Sequence, residues 1–216
     1  VKWIRAKVRN STKLPEELLS IEDVNKLVEV AANTRDKAFV LLLYEAGCRI
    51  GEILTLKIRN VQFDDRGAQI IFSGKTGDRR IRIVSSTPKL IQWMELHPFK
   101  DDPDAPLWIN LSTNGRNSIL RYGAACGILR DLTERAGIKK RVYPHLFRHS
   151  RATHLANHLT EAQMKQYFGW VQSSGMAATY VHLSGRDIDN AILKLHGLDA
   201  EEHKEEEKFK LIKCSR

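Results

Sequence analysis

The sequence predicts an α+β fold that is mainly α-helical and carries one small three-stranded antiparallel sheet. Three observations predict it. Apolar residues recur at helical spacing over most of the 216 residues, the pattern changes to short extended runs broken by Gly-containing turns only between residues 60 and 84, and helical spacing then resumes. Hydrophobic residues make up 42 % of the chain and charged residues 28 %, which suits a folded chain of one large domain or two small ones and excludes wholesale disorder. The longest apolar run, residues 38–44, has seven residues, far short of the roughly 18 that a membrane span needs. The opening VKWIRAKVRN has no apolar stretch of the kind a secretory signal requires.

Residues 1–13 are basic with little apolar pattern and read as a linker or arm, and a start at Val1 rather than Met reads as a piece of something longer. Residues 14–198 form the expected domain. Its first helix opens at Ser20, which can cap it, with Asp23 three residues on as a weak capping box. Residues 35–45 form a second, mostly buried helix stopped by Gly47, and residues 51–57 resume as a short helix. Residues 60–64 and 68–72 flank the turn Asp65-Arg66-Gly67, and residues 73–78 make a second turn before residues 80–84, giving the three-stranded meander. Helices then follow at 87–96, 116–136, 144–157, 160–168, 173–181 and 187–195, and residues 199–216 form a charged tail or terminal helix.

Charge narrows the function. The chain carries a formal +9, and because residues 199–216 hold six acids against five bases, the first 198 residues carry +10. An acidic partner follows, nucleic acid being the commonest, although many basic proteins bind nothing in particular. Cys48, Cys126 and Cys214 are widely spaced and odd in number, which excludes a disulfide framework and fits a reducing compartment.

Four segments hold residues that could do chemistry. In Tyr143-Pro-His-Leu-Phe-Arg-His-Ser-Arg-Ala-Thr-His154, Pro144 suits a first helical turn, which places His145 at a helix N-terminus with Arg148 on the same face. That combination makes a phosphate site containing an acid–base group. Zinc competes, because His145, His149, His154 and His158 recur at helical spacing, but the Glu of the zinc-protease motif and nearby Cys or carboxylate partners are lacking. Arg49 follows Gly47 in an apolar stretch and needs an anion; Glu52, three residues on, is the local candidate. Lys75 sits at a tight Gly-Lys-Thr-Gly turn without the spacing of a P-loop. Finally, the stretch from Phe168 to His182 ends a helix at Gly169, exposes Trp170 and carries Tyr180 on a short amphipathic helix. Each feature alone also fits an ordinary structural role: surface histidines, a local ion pair, a solvated lysine, a half-buried tyrosine.

Together, Arg49 followed by Glu52, hairpin Lys75, His145-x-x-Arg148, Gly169-Trp170 and Tyr180 resemble, in order and context, the tyrosine recombinase (phage-integrase) family. The resemblance runs from about residue 14 to residue 195, and the run from Trp170 to Gly185 looks most like archaeal integrases, as of a virus or mobile element. Trp170 stands where the family more often has His, and its gap to Tyr180 is one residue longer than in many bacterial members.

The resemblance implies a catalytic domain that breaks and rejoins double-stranded DNA at a specific site through a 3′-phosphotyrosine, without metal, ATP or other cofactor. It implies Tyr180 as nucleophile, Arg49 and Arg148 as the holders of the non-bridging oxygens, and His145 as the group that takes up or orients the tyrosine proton. Lys75 would be the acid for the leaving 5′-oxygen, Trp170 a packing group that offers its N–H to phosphate, and Glu52 a support for Arg49. It further implies a homo-tetramer on DNA, a cytoplasmic, nucleoid-associated location, and an additional N-terminal DNA-binding domain in a longer chain; a zinc ribbon begun by Cys214 is the weaker reading, since one cysteine alone reads as an incidental residue. A type IB topoisomerase-like nicking–closing enzyme and a non-catalytic DNA-binding module are the alternatives.

Overall fold

The computed structural model describes residues 17–74, 77–113 and 115–183. Lys75, the basic arm at 1–13, the helix expected at 187–195, the tail at 199–216 and Cys214 lie outside the described residues.

Helix α1, Ile21–Val30, is opened by Ser20, whose hydroxyl accepts from the Asp23 N–H while the Asp23 carboxylate accepts from the Ser20 N–H. The capping box is complete, Asp serving where Glu is usual. Helix α2, Thr34–Ala46, is capped by Asn33 and ended by Gly47 in the left-handed region at φ 53°. Any Cβ on Gly47 would also lie 2.6 Å from Cε1 of Phe168, so both backbone and packing require glycine there. Residues 38–44 are buried on every side of α2, as a helix apolar all round must be. Its two acidic ends are matched: Asp36 pairs with Arg35, and Glu45 accepts from the N–H groups of Val84, Ser85 and Ser86 and from the Ser86 hydroxyl. Glu45 thereby ties α2 to the start of a later helix, where N–H groups lack partners of their own.

Helix α3, Ile50–Leu54, is shorter than its expected 51–57, and a 3-10 turn at Ile58–Asn60 leads into the sheet. Strands β1 (Val61–Asp64), β2 (Gly67–Gly74) and β3 (Gly77–Ile83) pair antiparallel in sequence order. The β2–β3 ladder runs to Gly74↔Gly77, so the expected six-residue turn at 73–78 is mostly strand. Ala68, Ile70, Phe72, Ile81 and Ile83 face the core, in the period-two pattern of a sheet with one wet face.

Helix α4 is Thr87–Glu95 and α5 is Tyr122–Arg135. The expectation of one helix over 116–136 is corrected. Residues before Tyr122 form an extended return in which Ile119 bridges Ile109, Leu120 N–H donates to the Trp108 carbonyl, and Asn117 takes a left-handed φ of 65°. A non-Gly left-handed residue ends helical propagation, and Asn tolerates it best. Helix α6 is Pro144–Ala156, α7 is Glu161–Phe168 with Thr160 as cap, and α8 is Met176–Leu183, starting later than the expected 173. The main core packs α1, α2, the sheet's inner face and the buried sides of α4 to α6. A satellite core of Ala152, Ala156, Met164, Phe168, Ala177 and Tyr180 joins α6, α7 and α8. Among the described residues no helix is long and apolar enough to cross a membrane.

Candidate active site

The break between α2 and α3 presents Arg49. Its backbone N–H donates to Glu52 Oε2 at 2.8 Å and its Nη1 to Glu52 Oε1 at 2.9 Å, so the anion anticipated for Arg49 is the local one. The Arg49 side chain is nevertheless 42 % exposed, leaving much of its fork open to the cleft. Glu52 has a second and stronger partner. Arg79, from β3, donates Nη1 to Oε1 at 3.1 Å and Nη2 to Oε2 at 2.7 Å. Burial pushes the Glu52 carboxyl up, but the Arg79 and Arg49 hydrogen bonds and the Arg79 charge outweigh it and hold the pKa at about 2.

That shift has a measurable sign. Because the folded value of about 2 lies below the ordinary 4.5, the stabilisation is fully present above pH 4.5 and disappears as pH falls toward 2. The melting-temperature gap between wild type and Glu52→Gln is therefore expected to narrow steadily across that acid range. A gap that stays constant would mean that Glu52 is not held ionised by its arginines.

Helix α6 supplies the opposite wall. His145 and Arg148, three residues apart, both line the cleft. Arg148 is 3 % exposed, with Nη1 donating to the Gly47 carbonyl at 3.0 Å and Nη2 to the Phe168 carbonyl at 2.7 Å. Its guanidinium lies 5.1 Å from the Phe168 ring centre and 5.6 Å from that of Trp170. Burial first, and then the Arg49 charge, lowers its pKa to about 10, and it stays a cation at neutral pH. Burial together with the Arg148 and Arg49 charges pulls His145 below the ordinary imidazole value, so it is neutral and able to accept a proton at neutral pH.

Gly169 ends α7 at φ 61° and turns the chain so that Trp170 faces inward. Trp170 is half-buried rather than exposed as its position after a helix suggested. It stacks on Phe168 (4.9 Å between centres) and lies parallel to Tyr180 (5.5 Å, 1°). Tyr180 is 5 % exposed, more buried than an amphipathic-helix reading anticipates, because α8 docks through Ala177 and Tyr180 onto the satellite core. Burial pushes its phenol up to about 12 although the Arg148 charge opposes this, so the phenol is neutral at physiological pH.

The Tyr180 hydroxyl is hydrogen-bonded to His149 Nδ1, not to His145. The two imidazoles meet edge to face at 4.6 Å. His154 is engaged by the Tyr44 hydroxyl, and among the described residues no three His, Cys, Asp or Glu side chains are grouped to hold a metal ion. Cys48 lies buried below the site, where desolvation and the Glu52 charge raise its thiol to about 12, which makes it unreactive. Arg49, His145, Arg148, Gly169, Trp170, Val171, Ser174, Met176 and Tyr180 together enclose a cleft of about 350 Å³. Two guanidiniums, an imidazole and a phenol around one cleft can receive a phosphate diester, stabilise charge on its oxygens and attack it.

Two site residues escaped the sequence reading. Arg79 carried a usable signal: it is in phase with Ile81 and Ile83 on the buried face of β3, and a charge on an inward phase demands a partner. His149 was visible only as a member of a histidine series, because its partner Tyr180 lies 31 residues away.

The sequence model of the Phage integrase family matches residues 17–186. The tyrosine recombinase XerA of Pyrococcus horikoshii is 29 % identical over 185 residues, covering 84 % of this chain and 63 % of that protein. The tyrosine recombinase XerA of Pyrococcus furiosus is 30 % identical over 193 residues, covering 87 % of this chain and 65 % of that protein. A crystal structure of XerA recombinase superposes with a TM-score of 0.63 at 26 % identity, over 83 % of this chain and 64 % of that one. The chain thus spans somewhat less than two-thirds of the length of these relatives.

Proposed function

The chain belongs to the phage integrase family, and from that membership we propose that it is the catalytic domain of a tyrosine site-specific recombinase acting on double-stranded DNA. The observation that carries the proposal is the single cleft shared by Arg49, His145, Arg148, Trp170 and Tyr180. The Tyr180 oxygen attacks the scissile phosphorus, a 3′-phosphotyrosine forms and the 5′-oxygen leaves; reversal by a 5′-hydroxyl rejoins the strand. The bond energy is kept in the phosphotyrosine, so the exchange consumes no nucleotide.

The chemistry sets what each group must do. Charge gathers on the non-bridging oxygens as phosphorus becomes five-coordinate, and the forked guanidiniums of Arg49 and Arg148 meet it with paired donors. A phenol raised to about 12 does not attack as a resident phenolate, so its proton must go to a base as the bond forms. His149, whose Nδ1 contacts the Tyr180 hydroxyl, is the base proposed to accept it in the tautomer that carries its proton on Nε2, and neutral His145 stands one ring away on the cleft side. Trp170 holds the plane of the Tyr180 ring by stacking, and its N–H is the donor proposed for a phosphate oxygen. Glu52 positions Arg49. A tetramer on DNA is the proposed assembly, since two duplexes must exchange strands, and the cytoplasm with the nucleoid is the proposed location. Residues 14–198 are proposed as the domain boundary, flanked by the basic arm and the charged tail.

The test is incubation with a pool of nicked duplexes of randomised sequence, followed by recovery and sequencing of denaturant-resistant protein–DNA adducts. Recovery of one sequence family supports a site-specific recombinase. Adducts without sequence preference would instead indicate a topoisomerase-like nicking–closing enzyme, and absence of any adduct would indicate a DNA-binding module.

Lys75 is proposed as the acid that protonates the departing 5′-oxygen. At its ordinary pKa of about 10.4 a lysine is almost fully protonated at neutral pH. A substrate with sulfur at the bridging 5′-position expels a thiolate that needs no acid. Lys75→Ala is expected to cleave that substrate nearly as fast as wild type while cleaving ordinary DNA very slowly. Equal defects on both substrates would make Lys75 a clamp or a structural residue.

A further inference from the structure

We propose that Arg79 is a positioning residue that keeps Arg49 aimed at the cleft and leaves the Arg49–Glu52–Arg79 cluster with a net positive charge; the inference rests on the reading of Arg49 as a phosphate-binding group. Glu52 accepts on both oxygens from two arginines at once. Oε1 takes Arg49 Nη1 at 2.9 Å and Arg79 Nη1 at 3.1 Å, and Oε2 takes the Arg49 N–H at 2.8 Å and Arg79 Nη2 at 2.7 Å. With Arg49 as its sole partner, the Glu52 carboxylate would neutralise the very cation that must meet a phosphate. Arg79 supplies a second positive charge, so the trio keeps a net charge of +1. That surplus is expressed at Arg49, whose side chain is 42 % exposed, and not at Arg79, whose side chain is 7 % exposed. Arg79 is absent from the residues that line the cleft, so it acts through Glu52 and not on the substrate.

Arg79 also joins three elements. Its Nε donates to the Tyr167 carbonyl at 3.1 Å, one residue before the Phe168 carbonyl held by Arg148. Its own strand pairs back to Gly74 through Gly77, and a Cβ on Gly74 would lie 2.7 Å from Glu52 Oε1. The end of the β2–β3 ladder at Gly74 therefore lies directly against the same carboxylate. A buried ion pair gains little over an apolar replacement of both partners, although removing one partner alone is destabilising, and its bidentate fork fixes geometry tightly. Arg79 therefore supplies position as well as stability, and the two are separated by measuring melts beside rates.

The experiment is a double-mutant cycle in single-turnover cleavage of a nicked duplex recovered with the wild-type protein. Arg79→Met and Arg79→Lys are each measured in wild-type and Arg49→Ala backgrounds, with thermal melts for all. Arg79→Lys keeps the charge and preserves a folded variant if removal of the cation is too disruptive. We expect Arg79→Lys to slow cleavage about 10- to 100-fold in the wild-type background and less than about threefold once Arg49 is gone, because neighbours that act through one another are not additive. Equal fold-losses in both backgrounds, or full-rate cleavage by a folded Arg79→Lys protein, would overturn the inference while leaving the recombinase reading intact. A wild-type protein that forms no adduct would overturn both.

Discussion

Tyr180→Phe is expected to reduce the covalent protein–DNA adduct below detection while leaving the fold and DNA binding close to wild type. The phenyl ring of the variant retains the parallel stack on Trp170 and the burial against Ala152, Ala156 and Phe168. Only the hydroxyl and its hydrogen bond to His149 are lost, a change of about 0.5–1.5 kcal/mol in stability. Tyr167 is the competing nucleophile by sequence, thirteen residues upstream. Its hydroxyl donates to the Glu45 carbonyl at 2.6 Å, and burial pushes its pKa up to about 12. It does not line the cleft, and it faces the main core as well as the satellite one. Peptide mapping of the adduct decides the matter. An adduct on Tyr167, or one that persists in Tyr180→Phe, would remove Tyr180 from the mechanism.

Arg148→Ala is expected to lose both cleavage and stability, and Arg49→Ala cleavage alone. In the proposed mechanism each removes a donor to the developing oxyanion, a loss of about a hundredfold or more in rate. Arg148 additionally bridges the carbonyls of Gly47 and Phe168, at the C-terminal ends of α2 and α7, from a nearly sealed position. Its removal strands two acceptors and the faces of two aromatic rings, at a cost of about 2–4 kcal/mol. Lysine does not restore the rate at either position, because one ammonium cannot make the forked contact, and at 148 it cannot reach both carbonyls and a phosphate. Thermal melts beside single-turnover rates separate the two arginines. A normally melting Arg148→Ala protein would contradict the bridging role, and full cleavage by a folded Arg49→Ala protein would contradict its place in the site.

Much of the architecture was readable because its signals are local. Ser20 with Asp23 before α1 and Gly47 after α2 each announce a helix end through neighbours within four residues. The meander followed from alternation and two turns. The i and i+3 placement of His145 and Arg148 follows from helical geometry alone, as does the pairing of Arg49 with Glu52 across one turn. The resemblance collected Arg49, His145, Arg148, Trp170 and Tyr180, and the fold brings those five to one cleft. The failures are as local. The return at residues 116–121 looked helical because its apolar spacing suits either state, and only its pairing with residues 109–110 draws it out as an extended segment.

What the sequence determined by itself is the class of fold, the start of α1 and the end of α2, the positive surplus and, through the resemblance, five of the residues that line the cleft. What tertiary structure alone decided is which of them are partners. Glu52 answers to Arg79, 27 residues away, more fully than to its own neighbour. Tyr180 gives its hydroxyl to His149 and its ring to Trp170. Arg148 is sealed against the carbonyls of two other helices. The physical reason is range. Backbone hydrogen bonding and side-chain periodicity act over one or two turns and are written in adjacent letters. The partner of a buried charge is instead whichever group packing delivers within about 3 Å, and that depends on how every element in between has docked.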